Sequence, residues 1–393
     1  MYLLGKNAAM LKAEDIIRLI DNQIPESKSL DYKKDLSYST NGDKKEFLFD
    51  IAAMANTGGG CLVYGIEEAK DDKNQNTGLP GKITGIEGTN QDKTKQQIED
   101  IIRSNTDPGI SNIVLNYIPV GSETVLVIGI LKAYGLPVMV TAGEANKFYR
   151  RKNTGKYPVG TSELNNMFLQ NQVLKANAAN WVDTRIEKVL NMKALPVLNT
   201  DFPFFMHVIP YDFMDEKILD FTTIPNEVAA LFRPVYCGGW DYMYNVDGYA
   251  SFGKDPDDRQ RIVSYDQLFR NGIYESYTGR VMENFERNNG KDIITLDGYE
   301  FIKTVTEKVR SIFSIFKKMK VEPPFILFMN MYNIKGAAIL ADGRFTNPFL
   351  CNEVSFPSII FQSFDKNVEQ KLKGLFTILW QAAGQHNCPE IVI

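Results

Sequence analysis

The 393-residue sequence contains few of the residues that bind transition metals: four cysteines and two histidines. Cys61, Cys237, Cys351 and Cys388 are far apart and form no CxxC pair. Zinc sites need clustered thiolate or imidazole ligands, and Ser-His-Asp or Cys-His catalysis needs a correctly placed histidine. The sequence therefore predicts no zinc site and no disulfide framework, and it indicates a reducing, cytoplasmic environment.

Long apolar runs are also lacking. Hydrophobic residues make up 44% of the chain, yet no segment approaches the roughly 20 apolar residues that span a bilayer. The first 20 residues carry acids within their apolar pattern and have no small-residue cleavage site. We therefore expect neither a secretory signal nor a membrane partner.

The sequence has no overall excess of positive charge, because its formal net charge is −4. Residues 1–180 carry 21 basic and 21 acidic side chains, and the remainder carries 23 basic and 27 acidic ones. Proteins bind a phosphate backbone through local basic patches. If the chain binds nucleic acid, we therefore expect the first half to do so.

The length favours two domains, each with its own core. A helical pattern from residue 161 to about 193 passes the point where a first domain should close, and the segment 195–203 is rich in turn residues. Strand-like and helical patterns occur in both halves, so the predicted fold class is α+β or α/β. The predicted division is a first domain at 1–180, a helical connector at 181–199, and an α/β domain at 200–393.

His207 lies in an apolar, strand-like run and is predicted to be a core histidine.

Hydrophobic periodicity predicts the individual elements. In the first domain the pattern predicts helices at 12–23, 44–57 and 92–104, strands at 29–36, 61–66, 113–120 and 124–130, and a polar, glycine-rich loop at 69–81. In the second it predicts strands at 204–209, 241–252 and 325–332, and helices at 297–319 and 365–384.

Three acids and a lysine are placed where they can carry chemistry. Asp31 and Lys33 are two residues apart in an extended segment, so their side chains share one face. Glu26 precedes that segment, and Glu68 follows the predicted strand 61–66, so the acids can converge if the two strands are neighbours. Converging carboxylates hold Mg²⁺ or Mn²⁺, and a nearby lysine can polarise a phosphate or a water molecule. The alternative is that these are solvated surface charges.

A basic stretch with interleaved aromatic residues follows at 147–157. Cations there can contact phosphates, and aromatic rings can stack on unpaired bases. A solvated face is the alternative fate of such a charge run. The candidate nucleic-acid-binding residues are Lys147, Tyr149, Arg150, Arg151, Lys152 and Lys156, and Lys34 belongs to a second, weaker patch with Lys33, Lys44 and Lys45.

The run Ala55–Gly60 contains three consecutive glycines. Phosphate loops lead from a strand into a helix N-terminus, whereas these glycines follow a predicted helix and enter a strand, and no GK[ST] motif is present. The pattern therefore predicts a structural turn rather than a nucleotide-binding loop.

Together these segments resemble the Schlafen-type Alba-like domain of the Schlafen family, as found in bacterial Schlafen-like proteins. The resemblance covers about 135 residues, from residue 26 to residue 161. Its matching pieces are Glu26-Ser27, Asp31-Tyr32-Lys33, the segment Ala53–Gly60, Leu62–Glu68, Gly85-Ile86, Pro137-Val138, Phe148–Arg151 and Thr161.

The resemblance implies a mixed-sheet lobe that binds nucleic acid. Animal Schlafens with nuclease activity cut tRNA and rRNA with three carboxylates, which correspond here to Glu26, Asp31 and Glu68. These would hold Mg²⁺ or Mn²⁺, and Lys33 would assist. Asp31 stands where the family has Glu, and Glu68 stands where it has Asp. Animal Schlafens build a clamp from two such lobes, so one lobe per chain implies a homodimer or higher oligomer.

Three functions remain open. The leading hypothesis is a metal-dependent endoribonuclease that acts on tRNA or other structured RNA, in a bacterial stress or phage-defence setting by analogy. The second is a non-catalytic regulator that binds DNA or RNA. The third is an oligomeric scaffold or sensor whose Alba-like lobe binds a nucleotide or nothing. The acidic second domain favours sensing, oligomerisation or partner binding over binding of polyanions.

Overall fold

The computed structural model describes most of the chain. It divides into two compact units, Met1–Val173 and Leu174–Ile393, with the boundary inside a long helix. Much of the predicted boundary segment 195–203 lies outside the described residues. The described residues are 2–86, 91–110, 113–144, 146–153, 155–193, 198, 200–215, 218–222, 224, 226–256, 258–282, 284–288, 291–364 and 367–389.

The first unit contains strands and helices in alternation, as the α+β prediction requires. Its helices are α1 (Ala13–Asp21), α2 (Asn41–Ala55), α3 (Gln91–Ser104) and the start of α4 (Thr161–Leu190), with 3-10 turns at Ala8–Met10 and Ala142–Glu144. Its strands are β1 (Tyr2–Leu3), β2 (Lys6–Asn7), β3 (Leu30–Lys33), β4 (Gly60–Tyr64), β5 (Ile66–Lys70), β6 (Asn76–Ile83), β7 (Thr106–Asp107), β8 (Ile113–Val120), β9 (Glu123–Ile130), β10 (Met139–Val140), β11 (Lys147–Lys152) and β12 (Gly155–Pro158).

A mixed sheet with strand order β3-β4-β9-β8 forms the centre of this unit. Strand β3 runs parallel to β4, and the other pairs are antiparallel. Side chains alternate across the sheet: Leu62 and Ile128 pack in the same cluster as α2, whereas Val63 and Val127 pack in the cluster that contains α1. Both faces are therefore buried, which explains the continuous apolar runs of β4 and β9.

Residues 69–81 differ from the prediction. Instead of a loop they form most of the antiparallel hairpin β5–β6. Its turn is closed by Asp71, whose carboxylate accepts hydrogen bonds from the backbone N–H groups of Lys73 and Gln75. The strands are polar on both faces, so the alternation that identifies a half-buried strand is absent from the sequence.

The described part of the second unit holds two sheets and two long helices. An antiparallel eight-stranded sheet has the order β14-β15-β16-β17-β13-β20-β23, with β24 also on β20, and a smaller sheet has the order β18-β19-β21-β22. The helices are the end of α4, α5 (Asn226–Ala229), α6 (Gly298–Met319) and α7 (Val368–Ala382). The strands are β13 (Phe204–Pro210), β14 (Asp241–Tyr244), β15 (Gly248–Lys254), β16 (Ile262–Phe269), β17 (Tyr274–Thr278), β18 (Asn284–Asn288), β19 (Lys291–Asp297), β20 (Phe325–Tyr332), β21 (Ala338–Ala341), β22 (Arg344–Phe345), β23 (Glu353–Ser355) and β24 (Ile359–Phe361).

The core of the second unit forms where α6 and α7 pack against the large sheet. Phe301, Phe316 and Trp380 from the helices share one cluster with Phe325 and Met329 from β20. The predicted strands at 204–209 and 325–332 and the predicted helices at 297–319 and 365–384 are present among the described residues, which confirms the α+β character of this half. The predicted strand 241–252 is instead the antiparallel hairpin β14–β15, because Asn245 and Gly248 close a turn within it. None of the helices in the described ranges is long and apolar enough to cross a bilayer. All four cysteines are free thiols.

Candidate nucleic-acid and catalytic site

Asp31 is the centre of the candidate site. Strand β3 places it beside Leu62 of β4, and it is only 3% exposed. Arg151 Nη2 donates a hydrogen bond to Asp31 Oδ1 at 3.0 Å, and Lys33 Nζ lies 3.0 Å from Oδ2. Burial would raise the pKa of Asp31, but Lys33, the Glu26 carboxyl and Arg151 together lower it. Asp31 is therefore ionised at neutral pH.

Glu26 forms a carboxyl pair with Asp31. The backbone N–H of Tyr32 donates to Glu26 Oε1 at 2.9 Å, which fixes the side chain beside β3. Burial, together with the neighbouring Asp31 and Glu68, raises the pKa of Glu26 to about 8, although the hydrogen bond from the Tyr32 N–H opposes this shift. At neutral pH one proton therefore stays on the pair, carried by Glu26 and shared with Asp31.

Glu68 lies on β5, close to Glu26 but with separate partners. Gly78 N donates to Glu68 Oε2 at 3.2 Å, and Asn76 Nδ2 donates to Oε1 at 3.1 Å. The same Gly78 accepts a hydrogen bond from Glu26 N at 2.7 Å through its carbonyl. The hairpin thus places Glu68 near Glu26, because Gly78 bonds to both residues.

Three carboxyl groups are the donor set that a hard divalent cation prefers. Their arrangement fits less well. Among the described residues, no three His, Cys, Asp or Glu side chains are grouped closely enough to hold a metal ion. Arg151 and Lys33 occupy the two oxygens of Asp31, so a cation would have to displace at least one of them.

Lys33 connects the carboxyl pair to a second buried acid, Asp50 of α2. Lys33 Nζ lies 3.7 Å from Asp50 Oδ2, and Lys156 Nζ lies 2.7 Å from Asp50 Oδ1. Five side chains therefore form a line of alternating positive and negative charges: Arg151, Asp31, Lys33, Asp50 and Lys156. Asp50 is not among the residues predicted from the sequence, although an acid inside the apolar run FLFDIAAMA is a signal that identifies it.

The predicted basic stretch lies on β11 and β12, and its members differ in their availability to phosphate. Lys147 and Lys152 are exposed at the two ends of β11. Arg150 is half-buried and pairs with Glu163 at 2.6 Å. Lys156 is held between Asp50 and Glu46. Phosphate would have to compete with these carboxylates for Arg150 and Lys156.

Three other predicted residues have different surroundings. Arg151 is buried and bound to Asp31, so it does not present its guanidinium on the surface as a phosphate contact requires. Tyr149 stacks on Phe49 at 4.2 Å, which occupies one face of its ring. Lys34 is exposed and lies 3.2 Å from Glu67.

The Asn-Thr pair that follows α2 positions β11. Asn56 Nδ2 donates to the carbonyls of Val138 at 2.7 Å and Tyr149 at 3.1 Å, and Val138 N donates back to Asn56 Oδ1 at 2.7 Å. Thr57 Oγ1 accepts the backbone N–H of Arg151 at 2.8 Å. These bonds set the position of the Arg151 backbone, and so bring its side chain to Asp31.

The glycines that follow are a turn between α2 and β4, as predicted. Gly59 has a φ of +71°, which favours glycine. A Cβ on Gly60 would lie 2.2 Å from the carbonyl oxygen of Ser29, so the β3 segment lies directly against this backbone. The glycine run therefore allows β3 and β4 to approach, and with them Asp31.

The part of the chain that contains this site is similar to a known protein family. Residues 26–160 match the family model described as Schlafen, AlbA_2. The resemblance predicted from the sequence is thereby confirmed for this segment, which is about a third of the chain. The family supports nucleic-acid binding by the domain. No curated protein matches the chain.

Two solved structures are similar to part of the chain. The DIP2311 protein from Corynebacterium diphtheriae is 19% identical over 38% of this chain and 27% of its own length, with a TM-score of 0.26. The N-terminal domain of a protein related to the DNA helicase RecG, from Nitrosomonas europaea, is 22% identical over 37% of this chain and 91% of its own length, with a TM-score of 0.28. The chain thus spans about a quarter of the length of the first of these.

Proposed function

We propose that the AlbA_2 domain binds structured RNA, of which tRNA is the model substrate, and hydrolyses a phosphodiester bond at the Glu26–Asp31 pair. One observation carries the proposal: the Glu26 carboxyl is held beside Asp31 by the Tyr32 N–H, and Lys33 Nζ lies 3.0 Å from Asp31 Oδ2. Burial and the neighbouring acids raise the pKa of Glu26 to about 8, which agrees with this geometry. Like charges are costly to bring together in a fold. A bound cation or substrate would offset this repulsion, so a pair of neighbouring carboxyl groups favours a site that binds one of them.

The chain's own residues divide the work. Lys33, about one-third exposed, would contact the phosphate that is attacked, and Lys147 and Lys152 would hold the backbone on either side. A Mg²⁺ or Mn²⁺ site at Glu26, Asp31 and Glu68 is part of the proposal, and it would require these side chains to move closer together and Lys33 or Arg151 to release an oxygen of Asp31. When bound, such an ion supplies an activated water and stabilises the charge on phosphorus. The setting in phage defence or stress response belongs to the same proposal.

The test is an RNA cleavage assay on the full chain with tRNA and Mn²⁺, with EDTA as the metal-free arm. Glu26→Gln is the critical variant, because glutamine keeps the shape and can donate a hydrogen bond to Asp31, yet it cannot release a proton or become a carboxylate. We expect cleavage to fall by about a hundredfold or more, within the range for loss of a catalytic group. Glu67→Gln, the neighbouring acid on β5, should keep full activity. Equal cleavage by Glu26→Gln and the wild type would refute the assigned site.

A non-catalytic regulator is the second candidate, because Arg151 and Lys33 neutralise both oxygens of Asp31. In that case the protein binds RNA or DNA with strong salt dependence and cleaves neither, with or without Mn²⁺. Parallel binding measurements with tRNA and with duplex DNA of similar length also distinguish RNA from DNA as the partner.

We further propose that the protein is a homodimer or higher oligomer, because a clamp of the kind formed by two Schlafen lobes requires a second chain. Light scattering after size-exclusion chromatography should give at least twice the mass of one chain. A single-chain mass at micromolar concentration, with or without tRNA, contradicts this proposal.

A further inference from the structure

A cleft of about 640 Å³ lies within the second unit. Its volume is within the range of roughly 300–1,000 Å³ that is usual for small-molecule sites. One wall is a single face of α4, formed by Asn177, Trp181, Thr184 and Lys188 at helical spacing. The other walls are the turns at residues 213–214, 246–247 and 269–271.

The cleft combines aromatic surface with hydrogen-bonding groups. Trp181, Phe213 and Phe269 line it, and the rings of Trp181 and Phe269 meet edge to face at 5.2 Å. Flat aromatic surfaces of this kind suit a planar ring. The amides of Asn177 and Asn271 can donate to and accept from the polar edge of such a ring.

Arg185 is a cation that the fold fixes at the wall of this cleft. Its Nε and Nη2 donate to Glu275 at 3.0–3.1 Å, and its guanidinium carbon lies 4.9 Å from the centre of the Phe269 ring. Glu275 is fully buried and also accepts hydrogen bonds from Tyr265 Oη at 2.8 Å and from His207 Nε2 at 2.9 Å. Within the described part of the chain, the Nη1 group of Arg185 remains for a ligand.

The lining is positive, although the half of the chain that contains it has more acids than bases. Lys188 and Arg270 add two exposed cations, and Asp247 is the one acid of the lining among the described residues. The net charge of the lining stays positive even when the charge of Arg185 is cancelled by its partner Glu275. Arg270 is held in place, because its Nε donates to the carbonyl of Val246 at 3.0 Å.

We propose that this cleft binds a nucleoside phosphate, with the base against Trp181 and the phosphate at Lys188 and Arg270, near Arg185. Guanidinium groups favour phosphate because their donors match its oxygens in pairs. A free nucleotide and the 5′-phosphorylated end of an RNA offer the same chemistry. The site is separate from the proposed catalytic pair, since its lining belongs wholly to the second unit.

The experiment is calorimetric titration of the full chain with AMP and GMP, with adenosine and inorganic phosphate as half-ligands. We expect at least one nucleotide to bind about tenfold or more tightly than either half-ligand, as a charge-assisted phosphate contact implies. Lys188→Ala and Arg270→Ala should each weaken binding by a similar factor. Lys175→Ala, an exposed lysine of the same helix outside the cleft, is the control and should bind normally.

Tryptophan fluorescence locates the ligand independently. The chain has three tryptophans, so nucleotide-dependent quenching should disappear in Trp181→Phe while thermal unfolding shows that the variant is folded. A 5′-phosphorylated oligoadenylate that competes better than AMP identifies an RNA end as the natural source, and the reverse order identifies a free nucleotide. Absence of nucleotide binding at millimolar concentration, or unchanged affinity in both cation variants, overturns the proposal.

Discussion

The proton shared by Glu26 and Asp31 has a consequence for stability that can be measured without RNA or metal. Because the folded state raises the pKa of Glu26 to about 8 from 4.5, the folded chain keeps a proton that the unfolded chain releases. The stability associated with this group is therefore fully present below about pH 4.5 and is lost as the pH rises towards 8.

Substitution of Glu26 removes this dependence. In EDTA-containing buffer, Glu26→Gln should gain stability relative to the wild type as the pH rises from 5 to 8, because only the wild type then loses its proton. Urea unfolding at a series of pH values measures the difference. Parallel curves for the two proteins would mean that Glu26 has an ordinary pKa.

Gly60 provides a second prediction about a single residue. Its φ of +147° and the carbonyl of Ser29 at 2.2 Å from a built Cβ leave no room for a side chain. Gly60→Ala should therefore lower the free energy of unfolding by about 2 kcal/mol or more, since backbone strain alone costs on the order of 1–3 kcal/mol. Gly58→Ala is the matched control, because a Cβ there meets nothing within 4 Å; similar losses in both variants contradict the explanation.

At the scale of the element, the basic residues of β11 fall into two groups. Lys147 and Lys152 are exposed, whereas Arg150 and Arg151 are paired with carboxylates. Lys147→Ala with Lys152→Ala should weaken tRNA binding and reduce the salt slope by about 1–2, because each lost phosphate contact removes about 0.7–0.9. Filter binding at several salt concentrations measures this slope. Lys95→Ala, an exposed lysine of α3, is the control, and an unchanged slope in the double variant means that β11 does not contact the phosphate backbone.

Glu275 joins four elements of the second unit, since its partners lie on α4, β13 and β16 while it lies on β17. Glu275→Gln leaves Arg185 buried without its counter-charge, which typically costs 3–5 kcal/mol. We expect about that loss of stability at pH 7.

The pH dependence of this loss follows from the pKa of Glu275. Burial would raise the pKa, but Arg185 and His207 lower it to about 2. The contribution of Glu275 is present above about pH 4.5 and is lost as the pH falls towards 2. The gap between wild type and Glu275→Gln should therefore narrow in acid, and a gap that is constant from pH 7 to pH 3 contradicts this origin.

The elements that the sequence predicted best are those whose side chains face a core with a regular period. Helices α1, α2 and α3 and strands β4, β8 and β9 follow their apolar patterns. The β5–β6 hairpin does not, because backbone hydrogen bonds and a polar turn hold it. In the candidate site, the sequence pattern identified four residues: Glu26, Asp31, Lys33 and Glu68. It did not predict the burial of Arg151 or the role of Asp50, because both depend on contacts between residues that are distant in the chain.

At the scale of the whole molecule, the two proposed sites occupy different units and should respond separately. Lys147→Ala with Lys152→Ala should weaken tRNA binding and leave AMP binding unchanged. Lys188→Ala should weaken AMP binding and leave the binding of short RNAs that lack a 5′ phosphate unchanged. Titration of both variants with both ligands measures the four affinities, and loss of both activities in either variant would indicate a single shared site.

The side chain of Asn56 behaves as a short piece of main chain. Its amide exchanges N–H and C=O bonds with the backbone of Val138, as two residues do across a narrow pair in an antiparallel ladder. Val138 directly precedes β10, so the end of α2 supplies one extra rung to a strand of only two residues. An aspartate, which cannot donate, keeps only the bond from Val138 N, a leucine keeps neither bond, and a glutamine displaces both by one methylene. The Asn56 side chain thus supplies backbone-like hydrogen bonds that extend the pairing of β10 by one residue.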